Sequence, residues 1–92
     1  MNPSKKTAVV TGAASGIGLA TAEAFAAAGV LTILGDIDIQ RGETAAERIR
    51  SAGGSARFIR LDVTSDETVA EFAKAAEAAG DGVDIVANVA GW

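Results

Sequence analysis

No cysteine, histidine or tyrosine occurs among the 92 residues, and aromatic side chains make up only 4% of them. The absence of cysteine excludes disulfides, thiolate metal sites and cysteine nucleophiles. The absence of histidine removes the commonest metal ligand and the usual proton shuttle at neutral pH, and no metal site is expected. Long apolar runs are also missing. Met1-Asn2-Pro3-Ser4-Lys5-Lys6 has the basic character of a signal peptide's start, but Thr11-Gly12 interrupts the apolar run after Ala8-Val9-Val10. That run is too short for a signal peptide, and no segment approaches the roughly 18 apolar residues of a membrane span. A cytoplasmic chain with no membrane partner is the expectation. Positive charge is scarce as well: 8 Lys and Arg stand against 12 Asp and Glu, for a net charge of −4. Such a balance has no broad attraction to nucleic acid or to an anionic surface. Arg48, Arg50, Arg57 and Arg60 read as solvated residues, two closing a helix at the carbonyl end of its dipole and two projecting from a strand.

Apolar residues make up 49% of the chain, much of them alanine. A chain of this length forms one small domain or a piece of a larger one, burying roughly 60–65% of its unfolded surface. The hydrophobic pattern alternates between short strand-like runs and longer helical ones. A first strand over 6–11 leads into a glycine-rich turn, followed by a helix over 16–28 with Ile17, Ala20, Ala24, Phe25 and Ala28 at helical spacing and Gly29 as its stop. Residues 30–35 are apolar on both faces, as a buried parallel strand should be. Asp38 caps a second helix reaching Ala52, with Ala45, Ile49 and Ala52 inward and Gly53-Gly54 ending it. A third strand covers 56–61, and Thr64 with Glu67 fits a capping box for a helix over 65–79 bearing Val69, Phe72, Ala73 and Ala76 on one face. A fourth strand covers 83–88.

The pattern β-α-β-α-β-α-β implies an α/β fold, the first portion of a Rossmann-type doubly wound parallel sheet with right-handed crossovers. In strand order 3-2-1-4 the first two helices cover one face and only the third covers the other, while the fourth strand is an unpaired edge. The expectation is one domain over residues 1–92, incomplete after its fourth strand and forming the amino-terminal portion of a larger protein.

Thr11-Gly12-Ala13-Ala14-Ser15-Gly16-Ile17-Gly18 joins the first strand to the first helix. A dinucleotide's pyrophosphate favours backbone N–H groups at a helix N-terminus. Gly12 permits a tight turn, Gly16 puts no side chain between backbone and phosphate, Gly18 lets helix and sheet approach, and Ser15 adds a hydroxyl. No Lys-Ser/Thr pair follows the glycines, which excludes a nucleoside-triphosphatase phosphate loop. A purely structural turn is the competing reading. Asp36, eighteen positions after Gly18 at the end of the second strand, favours the dinucleotide, because a carboxylate there can accept both hydroxyls of an adenosine ribose and repel the extra phosphate of NADP. Asp38 sits directly before the helical pattern and is the better cap, which leaves Asp36 for the ribose.

With these residues the chain resembles the short-chain dehydrogenase/reductase family. Thr11 to Gly18 matches that family's T-G-x3-G-I-G motif, Leu61-Asp62-Val63 its third-strand L-D-V segment, and Ala87-Asn88-Val89-Ala90-Gly91 is similar to its N-N-A-G segment. The resemblance implies that Gly12, Ser15, Ile17 and Gly18 hold the pyrophosphate and adjoining ribose, and that Asp36 and Ile37 take the adenosine ribose. It further implies that Asp62 and Val63 meet the adenine, Asp62 receiving its amino group, while Asn88, Ala90 and Gly91 line the cofactor. NADP-using members tend to carry a basic residue at the position of Ser15 or Ile37; neither is basic here, so NAD is the implied cofactor. Val89 departs from the motif, replacing its second Asn and removing any hydrogen bonds that side chain makes to neighbouring backbone.

Hydride transfer at an alcohol carbon needs a proton acceptor or donor beside the reacting oxygen. The resemblance implies a Tyr, a Lys four residues later and a Ser, all beyond the N-N-A-G segment, and these 92 residues contain no Tyr. Asp81, in a turn, and Asp84, opening a strand, read as structural residues, so no catalytic residue is assigned. Two functions remain. One is the NAD-binding portion of an oxidoreductase acting on alcohol or ketone substrates, for which the resemblance implies a substrate pocket and subunit-pairing helices downstream of these residues. The other is a free-standing nucleotide-binding or regulatory module.

Overall fold

The computed structural model describes residues 6–80 and 82–89. Strand β1 (Thr7–Thr11) occupies the middle of the sheet, flanked by β2 (Leu31–Asp36) and β4 (Ile85–Asn88), and β3 (Ala56–Arg60) lies outside β2. All three pairings are parallel, in the order β3-β2-β1-β4. Parallel neighbours cannot be joined by a tight hairpin, and helices α1 (Gly16–Ala27), α2 (Ile39–Ser51) and α3 (Asp66–Ala79) make the crossovers. This is the expected Rossmann-type arrangement as its first seven elements.

The two-residue pleat divides the apolar residues between two layers. Val10, Leu34 and Ala56 face α1 and α2, packing with Ala22, Ala26, Ala45, Ala46 and Ile49. Val9 and Ile33 face the other way, toward α3, with Leu61, Phe72 and Ala76. Among the described residues only α3 serves that second face. Val86 stands opposite Val9 on β4 and remains 67% exposed, and Val69 is also exposed.

Several local expectations are corrected. The buried residues of α1 are Gly18, Ala22 and Ala26, and Phe25 packs against the same core layer as expected, together with Leu19; Ala20, Ala24 and Ala28 are exposed, and so is Ile17, at 76%. The helix is so rich in alanine that apolar spacing singles out no face, and close approach at its smallest residues decides the matter. In α2, Ala45 and Ile49 point inward as expected, joined by Gly42 and Ala46, while Ala52 is exposed. In α3, Phe72 and Ala76 are buried, whereas Val69 and Ala73 border an open groove toward Val86.

The cap of α3 is Ser65, not Thr64: its side chain accepts from the Thr68 amide at 3.3 Å. Thr64 is otherwise engaged, its hydroxyl donating to Asp62 Oδ1 at 2.6 Å. Asp38 caps α2 as expected, accepting from the Arg41 amide at 3.0 Å. Helices α1 and α2 finish alike, with Val30 N–H bonding Phe25 O and Gly54 N–H bonding Ile49 O. Strand β4 begins at Ile85 and not at residue 83, because Asp84 terminates the ladder: its carboxylate accepts from Thr7 N–H while its own N–H donates to Thr7 O, each at 2.9 Å. Asp84 thus has a structural task at the amino ends of the strands; Asp81 lies outside the described residues.

The half-covered face has a measurable consequence. The 92-residue chain by itself is expected to bind an apolar dye and to self-associate, since Val86 and Val69 border a groove and one edge of β4 pairs with no strand among the described residues. Light scattering and dye fluorescence test this; a monodisperse monomer without dye binding contradicts it.

Candidate functional site

The chain steps from β1 to β2 to β3 on one side of the sheet and then crosses back to β4 on the other. Such a reversal opens a crevice beyond the carboxyl ends of the strands, between β1 and β4. The glycine turn leaves β1 at this point. Gly12 (φ 67°) and Gly16 (φ 60°) both lie in the left-handed region, so the turn reverses tightly before α1 begins. Gly18 has a different role: a Cβ there would lie only 1.9 Å from the Gly12 carbonyl oxygen. The first turn of α1 therefore rests on the backbone it has just left.

Two donors tie the turn to β2. Ala13 N–H bonds Gly35 O at 3.2 Å, and Ala14 N–H bonds Asp36 Oδ2 at 3.1 Å. The other oxygen of the same carboxylate, Oδ1, accepts from Asp38 N–H at 3.0 Å. Asp36 is thus not left free by the capping role of Asp38: each of its oxygens already receives one backbone amide. A carboxylate oxygen has a second lone pair, so each can still accept another donor. Ser15 occupies the N-cap position of α1 in an extended conformation, and its side chain makes no capping bond. The first-turn N–H groups of Gly16, Ile17 and Gly18 have no intrahelical acceptor, and the first turn holds no acidic residue.

Beside the turn lies a cavity of about 270 Å³, lined by Gly12, Gly35, Asp36, Ile37, Leu61, Asp62, Val63 and Thr64. It joins the ends of three strands. Ile37 (57% exposed) and Val63 (43%) stand at its walls, and Ile17 stands out from the helix start. Asp62 Oδ1 accepts from both the Thr64 amide (3.0 Å) and the Thr64 hydroxyl. The Thr64 hydroxyl bond first, and then the Thr64 amide bond, hold the Asp62 carboxyl below its ordinary value against the opposing effect of desolvation, with the Arg60 charge adding a lesser pull.

Of the residues singled out from sequence, the structure gathers Gly12, Asp36, Ile37, Asp62 and Val63 around one cavity, with Ser15, Gly16, Ile17 and Gly18 at the adjoining helix start. Asn88 lies apart from that cavity. It borders the groove between α3 and β4, and its side-chain oxygen accepts from the Thr11 hydroxyl at 2.8 Å. Val63 lines both openings. Val89 packs against the first core layer and its N–H bonds Thr11 O, so apolar contact occupies the position of the motif's second Asn. Ala90 and Gly91 lie outside the described residues.

Sequence reasoning read Thr64 only as a helix cap and passed over Thr68. Thr68 Oγ1 accepts from Asp62 N–H at 3.2 Å and donates to Asp62 O at 2.7 Å, bracketing that residue's backbone. The Asp-x-Thr spacing of 62–64 is the available signal, since a short polar side chain readily bonds the amide two residues on.

The sequence profile described as short chain dehydrogenase matches residues 6–92. The uncharacterised oxidoreductase YxbG of Bacillus subtilis strain 168 is 46% identical over 86 residues, which cover 94% of this chain and 32% of that protein. Galactitol 2-dehydrogenase of Agrobacterium fabrum is 43% identical over 88 residues, covering 96% of this chain and 33% of that one. Among solved structures, hydroxysteroid dehydrogenase from Escherichia coli superposes with a TM-score of 0.88 at 35% identity, covering 90% of this chain and 35% of its own. A metagenomic short-chain oxidoreductase in complex with NADP superposes with a TM-score of 0.83 at 32% identity, over 88% of this chain and 37% of its own. The chain spans about a third of the length of these curated relatives.

The glycines of the turn should fail for different reasons. Gly18→Ala drives a methyl into backbone that cannot yield and is expected to cost about 2–3 kcal/mol. Gly16→Ala meets nothing within 4 Å and should cost only the left-handed strain of about 1–2 kcal/mol. Urea unfolding of both variants checks the ranking; equal losses contradict it.

Proposed function

The chain belongs to the short-chain dehydrogenase family, and from that premise we propose that its 92 residues form the NAD-binding portion of an oxidoreductase acting on alcohol or carbonyl substrates. In this reading they are the first part of one dinucleotide-binding domain. The observation that carries it is the carboxylate of Asp36. It sits at the end of β2, fastened to the glycine turn through Ala14 and to the start of α2 through Asp38, on the wall of the cavity that also holds Asp62.

The residues present suit a dinucleotide. Two glycines at positive φ lead into a helix start without a side-chain cap or an acidic residue, which offers N–H donors to a pyrophosphate. Exposed Ile17, Ile37 and Val63 offer apolar surface to rings, and two carboxylates offer acceptors to ribose hydroxyls and a base amino group. In the bound state Gly12, Ser15, Gly16, Ile17 and Gly18 would face the pyrophosphate and adjoining ribose, Asp36 and Ile37 the adenosine ribose, and Asp62 and Val63 the adenine. Asn88, Ala90 and Gly91 would continue the cofactor's path beyond β4. The nicotinamide group, when bound, supplies hydride acceptance and donation; this chain's residues bind and orient it.

NAD is preferred over NADP in this reading. The positions flanking the ribose carboxylate, Ser15 and Ile37, are uncharged, and Arg41 in the first turn of α2 is paired with Asp38 at 3.6 Å. An additional phosphate of about −1.5 to −2 charge would face the Asp36 carboxylate. The proton donor for the substrate oxygen is not assigned within these residues, which contain no tyrosine.

The test is cofactor choice in the protein as its gene encodes it. Hydrogen bonds to a charged acceptor contribute about 1.5–3 kcal/mol each, so Asp36→Ala is expected to weaken NAD roughly tenfold or more while improving NADP. Adding Ile37→Arg should improve NADP further, because a guanidinium presents a planar charged fork to a phosphate. Fluorescence titration gives both dissociation constants. A parallel shift of the two would mean that Asp36 only fastens the turn and does not read the ribose.

A further inference from the structure

The segment following β3 contains an arrangement that the cofactor reading by itself does not require. Asp62 is held at three of its polar groups by two threonines. Thr68 brackets its backbone N–H and C=O, and Thr64 supplies both an amide and a hydroxyl to a single carboxylate oxygen, Oδ1. The other oxygen, Oδ2, receives no hydrogen bond from any described residue. Asp62, Val63 and Thr64 all line the cavity next to Asp36.

A carboxylate on a short, exposed side chain is ordinarily free to rotate and would offer either oxygen to solvent. Two donors on one oxygen remove that freedom and leave the other as a single, directed acceptor. Charge-assisted bonds of this kind are the stronger ones, and the Thr64 hydroxyl contact is short at 2.6 Å. Thr64 is itself exposed and outside any helix or strand, so its hydroxyl is not consumed by secondary structure.

We propose that Thr64 is a positioning residue for nucleobase selection, holding the Asp62 carboxylate so that Oδ2 accepts from the amino group of an adenine base and disfavours a base with a carbonyl in that place. The inference rests on the dinucleotide reading above. It predicts selectivity at the base, separate from the selectivity that Asp36 exerts at the ribose.

The experiment compares NAD with its hypoxanthine analogue, in which a carbonyl replaces adenine's amino group, using the protein as its gene encodes it. The unmodified protein is expected to bind NAD about tenfold or more tightly over the analogue, the scale of one hydrogen bond to a charged acceptor. Thr64→Val should shrink that ratio to about threefold or less, chiefly by weakening NAD, with the analogue's dissociation constant moving by less than about twofold. Thr64→Ser, which keeps the hydroxyl, should restore the ratio. Circular dichroism and melting accompany each variant, and Thr64→Ala carries the same expectation should Thr64→Val not fold. An unchanged ratio in the hydroxyl-less variant, or equal weakening of both dinucleotides, overturns the inference and leaves the cofactor reading standing. Equal binding of the two by the unmodified protein removes Asp62 from base recognition and the inference with it. Failure of the unmodified protein to bind either dinucleotide overturns the cofactor reading itself.

Discussion

The approach of α1 to the turn before it governs the geometry of the carboxyl edge. At Gly18 the helix lies so near the Gly12 carbonyl that no side chain fits between them. This contact sets the rotation of α1 about its axis. Ala22 and Ala26 then face the sheet, Ile17 points outward, and the uncapped helix start is brought to the strand ends. A bulkier residue would lift the helix and move its N–H groups away from Asp36. Small residues elsewhere serve the same close packing, as at Gly42, where the ring of Phe58 fills the space a Cβ would need.

Polar bonds then fasten the loops in position. Asp36 joins the glycine turn to the start of α2, and the threonines of α3 and its approach hold Asp62 in place. Both carboxylates are therefore oriented by the protein before any ligand arrives, which lowers the ordering cost of binding. The opposite end of the sheet uses the same chemistry for a different purpose. There Asp84 closes the β1–β4 ladder through Thr7, far along the strands from the cavity. The same kind of side chain thus ties two loops together at one end of the sheet and closes a strand ladder at the other.

The α/β order, the strand order, the glycine turn and the two acidic residues were legible because each has a local signature. Strand runs such as Val9-Val10 and Ile33-Leu34 are apolar on both faces, and Gly12, Gly16 and Gly18 fall between a strand and a helix. Illegible from sequence were the inward face of α1, the choice of Ser65 over Thr64 as cap, and the double engagement of Asp36. Each was decided by competition. Alanine-rich spacing ranks no face above another, and Thr64 could cap a helix or bond Asp62 with equal chemical ease.

The sequence by itself determined which residues can serve: apolar alternation sets a parallel sheet, glycines permit the turn, and carboxylates fall at the ends of two strands. Local periodicity and spacing suffice for this, since they depend on neighbours along the chain. Tertiary structure alone decided which of those groups meet. It joined Gly12, Asp36 and Asp62 at one cavity, assigned Asn88 to a separate groove, and gave each oxygen of Asp36 a backbone amide, from Ala14 and from Asp38. The physical reason is that hydrogen-bond partners and close contacts between residues distant in sequence exist only after the helices have packed on the sheet.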